Sequence, residues 1–259
     1  MKNNKSLGQH WLKNRLILDQ IADLAIPENL SSDTVCLEIG PGLGTLTSSL
    51  LKRFSQVVAV EYDQRLAENL PKSFPGKKLT VVHDDILTTD ISAHVKTSDY
   101  VVVGNIPYYI TSPIVHKILS LNPAPRRSVL LMQKEVAERI AAEAGNHSIL
   151  SLTVQNQTIV ELGPIVRAAE FTPPPKVDSQ VLILTPLDAP QIDPQILEFA
   201  RLGFASPRKK LSANLAVGKP ILSKAAWEDL LQSCTINPAA RAEDLDLWDW
   251  EELYNKIQH

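Results

Sequence analysis

Five short, almost unbroken runs of apolar, mostly β-branched residues recur through the first half of the chain: VCLEI (35–39), VVAVE (57–61), LTVV (79–82), YVVVG (100–104) and SVLLM (128–132). A strand with one wet face alternates apolar and polar residues, whereas a parallel strand covered on both faces stays apolar. The segments between them, TLTSSLLKRF, QRLAENL, SPIVHKILSL and KEVAERIAAEA, carry helical spacing, with Thr45 and Ser112 placed as caps. Strand and helix therefore alternate. The pattern predicts an α/β fold, a doubly wound Rossmann-like sheet with its ligand beyond the carboxyl ends of the strands. VDSQVLILTP (177–186) reads as a last sheet element, LDAPQIDP as a linker, and ILEFARLGF, RKKLSANLAV, KAAWEDLLQS and WDWEELYNKI as helices. The expected organisation is an α/β domain over residues 1–187 and a small all-α domain over 188–259.

No apolar run reaches the ~18 residues of a membrane span, and MKNNKSLGQH lacks the apolar stretch of a signal peptide, so a cytoplasmic protein is expected. Cys36 and Cys234 form no CxxC, and the six histidines form no HxH or HExxH, so no metal site is expected and the thiols read as buried or idle. The net charge of −3 hides a pattern. Lys2, Lys5, Lys13 and Arg15 stand without an acid up to Leu18, and Arg201, Arg208, Lys209, Lys210, Lys219 and Lys224 stand without one between Phe199 and Trp227. Local basic zones on a mildly acidic chain suit a protein that touches phosphate over one surface.

LEIGPGLGTLT (37–47) follows a strand and opens a helix. Glycines at 40, 42 and 44 let the backbone turn tightly and approach a ligand closely. A dinucleotide fingerprint would need a glycine at 45, where this chain has Thr45. The spacing Glu38-x-Gly40-x-Gly42-x-Gly44 resembles the form seen in S-adenosylmethionine methyltransferases, where an acid ahead of the loop, unhelpful to a pyrophosphate, can support a cationic sulfonium ligand, so the resemblance implies S-adenosylmethionine as cofactor. Glu61 ends the next strand, where a carboxylate can accept both ribose hydroxyls. Either Asp84 or Asp85 in HDDIL can accept from the amine of the cofactor's adenine.

The fourth strand runs into Gly104-Asn105-Ile106-Pro107-Tyr108. An exocyclic amine on adenine is a weak nucleophile because its lone pair is delocalised. Two neutral acceptors help it by drawing on its hydrogens and stabilising the charge that grows on nitrogen. Asn105 offers a side-chain oxygen. Pro107 keeps Ile106 extended and so presents the Ile106 carbonyl. Tyr108 offers a face on which a base can stack.

SLGQHWL (6–12), LEIGPGLGTLT, Glu61, HDDIL, GNIPYYI and FTPPPKVDSQVL (171–182) together resemble the successive motifs of the ribosomal RNA adenine N6-dimethyltransferase family, its small-subunit branch above all. The resemblance implies that Gln9, His10 and Leu12 fold over the cofactor, that Gly40, Gly42, Glu61, Asp85 and Asn105 complete its contacts, and that Phe171 stacks on the target base opposite Tyr108. It implies two methyl transfers to each of two adjacent adenosines in the 3′-terminal hairpin of 16S rRNA, on an immature 30S particle, by a monomeric enzyme. A basic helix at Arg208, Lys209 and Lys210 would hold RNA phosphates. Trp11 stands where the family usually has phenylalanine, and NIPY also occurs in resistance methylases acting on large-subunit RNA, which makes that substrate the alternative. A DNA adenine methylase uses a similar corner but normally carries a larger base-reading domain. A non-catalytic assembly checkpoint would tolerate loss of Asn105. A nicotinamide dehydrogenase is disfavoured by the misplaced glycine.

Overall fold

The computed structural model describes residues 10–258. The expected strands form as β2 (Val35–Ile39), β3 (Gln56–Glu61), β4 (Leu79–His83), β5 (Tyr100–Asn105), β6 (Arg127–Gln133) and β9 (Ser179–Pro186). With β7 (Thr158–Val166) they make a seven-stranded sheet of order β4-β3-β2-β5-β6-β9-β7. The pairs β2/β3, β2/β5, β3/β4 and β5/β6 are parallel, and β9 runs antiparallel to β6. Every residue of β2 is buried, as its unbroken apolar run requires. The sheet is doubly wound, as expected.

Several elements were not anticipated, among them the helices Arg15–Leu24, Ile91–Val95 and Ile149–Gln155. β7 carries Gly163 and Pro164, which read as loop signals, and its place at the sheet edge tolerates a residue with no N–H to donate. β1 (Trp11–Leu12) and β8 (Phe171–Thr172) form a separate antiparallel ribbon in which Trp11 pairs with Thr172 and Leu12 with Phe171. Directly after it Asn14 caps the helix Arg15–Leu24, accepting from the Leu16 and Ile17 amides, and its Nδ2 donates to Glu170 at 2.9 Å. The expected caps are corrected. Thr45 lies two residues ahead of the helix Thr47–Leu50, and Ser112 lies inside the helix Thr111–Leu119; neither helix has a side-chain cap.

The chain forms two compact units. One runs to Ala137 and takes in Val160–Pro186; the other comprises Glu138–Ile159 and the chain from Leu187 on. The chain passes between the units after Ala137, Ile159 and Pro186, so that Glu138–Ile159 belongs with the helical unit. The reason is local: Leu152, on the helix Ile149–Gln155, is buried in that unit's core, and Asn156 clamps Ile192 by donating to its carbonyl (3.1 Å) and accepting from its amide (2.8 Å). That core centres on fully buried Trp227 and Trp250 around Phe199, whose ring meets Trp250 edge-on at 5.8 Å. Cys36 and Cys234 are both buried.

Phe171, expected to face the target base, is a core residue as well. It is 3% exposed and packs in the sheet unit's core with Leu12, Leu18, Val129 and Val181. In this arrangement its side chain anchors the ribbon. Phe171→Ala should cost about 3–5 kcal/mol, measured by urea unfolding. A loss below about 1 kcal/mol would place the ring outside the core.

Candidate active site

Level strand ends set up the site. Ile39 pairs with Val60 on one side and Gly104 on the other, so Gly40, Glu61 and Asn105 leave the sheet at one edge. There they line a cavity of about 370 Å³ together with His10, Trp11, Leu12, Glu38, Gly42, Asp84, Asp85, Ile106, Pro107 and Tyr108. Of the expected site residues, Gln9 lies outside the described residues, Phe171 does not reach this wall, and Arg208, Lys209 and Lys210 belong to the helical unit. All the others come together.

The loop after β2 is shaped for a ligand. Gly40 has φ +64°, and a Cβ there would meet nothing within 4 Å, so the backbone offers an open face. The Gly42 amide donates to Glu61 Oε2 at 3.0 Å and the Asp63 amide to Oε1 at 2.8 Å. These bonds fix the carboxylate and leave each oxygen a further lone pair. Burial pushes Glu61 above the usual carboxylate range, and the two amides pull it partly back. Asp85 accepts from the Leu87 amide (2.9 Å), and Asp84 from the Asp85 amide (2.8 Å). Both line the cavity, Asp85 half-buried and Asp84 exposed.

At the end of β5, the Ile106 amide donates to the Leu131 carbonyl (2.8 Å), and Pro107 is extended with ψ 130°. Gly104 makes this bend possible, because a Cβ there would stand 2.7 Å from Ile106 Cδ1 and 3.1 Å from the Ile39 carbonyl oxygen. The Asn105 Nδ2 donates to the His10 carbonyl at 3.1 Å. A carbonyl can only accept, so the nitrogen faces His10 and Oδ1 is turned away, accepting from no described residue. Tyr108 is tied to Ser179 through its hydroxyl at 2.8 Å, and the His10 ring stacks on it with centroids 5.9 Å apart. His10 Nδ1 lies 2.8 Å from the Pro173 carbonyl oxygen. The arm bearing His10 thus touches both the NIPY corner and the ribbon.

Several lining residues escaped the sequence reading. Tyr62 and Tyr109 are exposed aromatics at the cavity; each directly follows a predicted site residue, a weak but available signal. Ser179 and Pro173, which do not line the cavity, lie in the motif FTPPPKVDSQVL, but only the folded chain brings them to Tyr108 and His10. Glu38 is 1% exposed, and neither carboxyl oxygen has a hydrogen-bond partner. Burial drives it from its ordinary 4.5 up to about 8. Thr47 pulls it partway down, although neither its hydroxyl nor its amide reaches ordinary hydrogen-bonding geometry.

The lining suits a cationic adenosyl ligand. It has four carboxyl groups, Glu38, Glu61, Asp84 and Asp85, and no lysine or arginine among the described residues, a poor setting for phosphate and a good one for a sulfonium. Among the described residues no three His, Cys, Asp or Glu side chains gather as a metal site, and no helix is long and apolar enough to cross a membrane.

Comparison with known proteins agrees with this chemistry. Residues 1–259 match the family model "Ribosomal RNA adenine dimethylase". A ribosomal RNA small subunit methyltransferase A of Rippkaea orientalis is 40% identical, over 98% of this chain and 97% of its own; that of Bacillus pumilus is 36% identical over 98% and 91%. Among solved structures, a dimethyladenosine transferase from Plasmodium falciparum superposes with a TM-score of 0.78 at 29% identity over 96% of this chain and 98% of that one. The 23S rRNA methyltransferase ErmE superposes with 0.75 at 28% over 96% and 100%.

The state of Glu38 is open to measurement. Between pH about 4.5 and about 8 the unfolded chain gives up this proton while the folded chain keeps it, so the group removes stability as pH rises. Glu38→Gln should therefore gain roughly a few kcal/mol relative to the parent between those limits, read from urea unfolding of the ligand-free protein. A gain independent of pH would contradict the neutral assignment.

Proposed function

Because this chain belongs to the ribosomal RNA adenine dimethylase family, we propose that it methylates N6 of two adjacent adenosines in the 3′-terminal hairpin of small-subunit rRNA, twice each. It acts as a cytoplasmic monomer on an immature small ribosomal subunit. The observation that carries this reading is the Asn105 amide, held through its nitrogen so that its oxygen is free to accept at a cavity lined by no lysine or arginine among the described residues. S-adenosylmethionine supplies an electrophilic methyl group on a sulfonium sulfur.

The chain's own residues do the rest. Glu61 receives the ribose hydroxyls, Asp85 the adenine amine of the cofactor, and the Gly40–Gly42 backbone the amino-acid end, under His10, Trp11 and Leu12. In the first transfer the Asn105 side-chain oxygen and the Ile106 carbonyl accept the two hydrogens of the target amine; in the second, one of them accepts the single hydrogen that remains. As nitrogen bonds to carbon its positive charge grows, and these fixed dipoles stabilise it with no reorganisation. Neither acceptor needs to be a base, since the methylated amine is acidic enough to lose its proton to water. Tyr108, braced by Ser179, carries the target base on one ring face while His10 covers the other.

The RNA surface involves the helical unit. Arg208, Lys209 and Lys210 are exposed and form no ion pair among the described residues, whereas Arg201 and Lys224 pair with Glu198 and Glu228 and Lys219 lies over the Phe199 and Tyr254 rings. They were expected on a helix but lie in the turn before the helix Leu211–Gly218, with Lys210 at its N-cap. Cations at a helix N-terminus oppose its dipole, so their placement costs stability unless an anion joins them.

The small-subunit target is favoured by relatives of that name at 36–40% identity, against 28% for the 23S enzyme. Labelled S-adenosylmethionine with unmethylated small subunits should yield dimethyladenosine by nucleoside mass analysis; product only on large-subunit RNA would overturn the target. Asn105→Ala should lower turnover about 10²–10³-fold; unchanged turnover would remove the amide from the mechanism. Replacing Arg208, Lys209 and Lys210 by alanine should weaken RNA binding and flatten its salt dependence by a slope of about 2 to 3, read by titration at several salt concentrations. An unchanged slope would exclude that turn from phosphate contact.

A further inference from the structure

One ionisable group in the cavity wall has no part in the transfer just described. Both Glu38 oxygens are buried without a partner, whereas both Glu61 oxygens sit on backbone amides. The described groups packed around Glu38 offer it no cation. On its own strand stands Cys36, whose thiol burial pushes up and keeps neutral. At the end of β3 stands Glu61, whose negative charge further opposes ionisation. Its register partners, Ala59 and Val103, are apolar. The helix after the loop contributes Thr47, the helix Arg15–Leu24 brings Leu18 and Ile21 to the cavity, and β5 ends there in uncharged Asn105. With no cation beside it among the described residues, this carboxyl can meet one carried in by a ligand.

We propose that Glu38 reads the charge of the cofactor: it releases its proton when the ligand carries a sulfonium and keeps it when the ligand is the neutral thioether left after transfer. The inference rests on S-adenosylmethionine being the donor. Inside a low-dielectric wall a positive charge brought nearby favours the carboxylate, and the proton goes to solvent. Linkage makes the effect reciprocal, so an ionised Glu38 holds the donor more tightly than the product. Once methyl has passed to nitrogen, sulfur is uncharged, Glu38 takes up a proton again, and the hold on the product weakens. Glu38 is in this sense a specificity residue for the loaded cofactor.

Calorimetry tests it on the full chain, with S-adenosylmethionine and S-adenosylhomocysteine each titrated in buffers of different ionisation enthalpy. The parent should release more protons with the donor than with the product, and Glu38→Gln should remove the difference. The ligand's own amine titrates in both proteins, so parent minus variant isolates Glu38. If the donor lowers Glu38 by about one pKa unit, the parent's donor preference should rise roughly fivefold from about pH 6.5 to about 8.5 relative to the variant. Equal proton release with the two ligands in the parent, or a difference undiminished in Glu38→Gln, overturns the charge-reading role and leaves the cofactor assignment standing. Failure of the parent to bind either ligand overturns that assignment instead. The parent's two titrations decide the matter even if the variant does not fold.

Discussion

Parallel hydrogen bonding of β2 to β3 and β5 sets the level at which three strands end, and everything at the site follows from that level. The pairings Ile39↔Val60 and Ile39↔Gly104 place the glycine turn, the Glu61 carboxylate and the Asn105 amide at one sheet edge. A shift of one residue in either pairing would turn the side chains of that strand to the opposite face. Continuous burial of β2 makes such a shift costly, because Cys36, Leu37 and Ile39 would each lose a fitted neighbour.

A second constraint comes from far along the chain. The ribbon of Trp11–Leu12 with Phe171–Thr172 joins the arm before the first helix to the segment before the last strand of the sheet. Phe171 anchors the ribbon in the core, and His10 then reaches Asn105 through its carbonyl, Tyr108 through its ring and Pro173 through Nδ1. Cover and acceptor are thus one mechanical piece. An amide fixed by a backbone carbonyl needs no reorientation when a base arrives, which is the condition under which a dipole contributes most to a transition state.

The sheet was legible because its signal is local: buried parallel strands read as unbroken apolar runs, and the corner at Gly104–Tyr108 and the turn at Gly40 stand at their ends. What escaped depended on distant partners. β7 contains Gly163 and Pro164 and forms a strand only because the sheet edge accepts it. The helix Ile149–Gln155 left its neighbours in sequence because Leu152 and Asn156 find their partners in the helical unit. Phe171 could be assigned a ligand-facing role from its motif, but its burial is decided by Leu12, Leu18 and Val181, which no spacing rule brings together. Glu38 was visible as an acid ahead of the loop, whereas its lack of any partner is a property of the folded wall alone.

The most direct test of the account is a crystal structure with S-adenosylhomocysteine and an adenosine-containing RNA fragment bound together. The account predicts Asn105 Nδ2 still on the His10 carbonyl, with Oδ1 and the Ile106 carbonyl oxygen each about 3 Å from the target N6. An amide rotated so that its nitrogen faces the base, or a target amine directed at Asp84 or Asp85 instead, would contradict it.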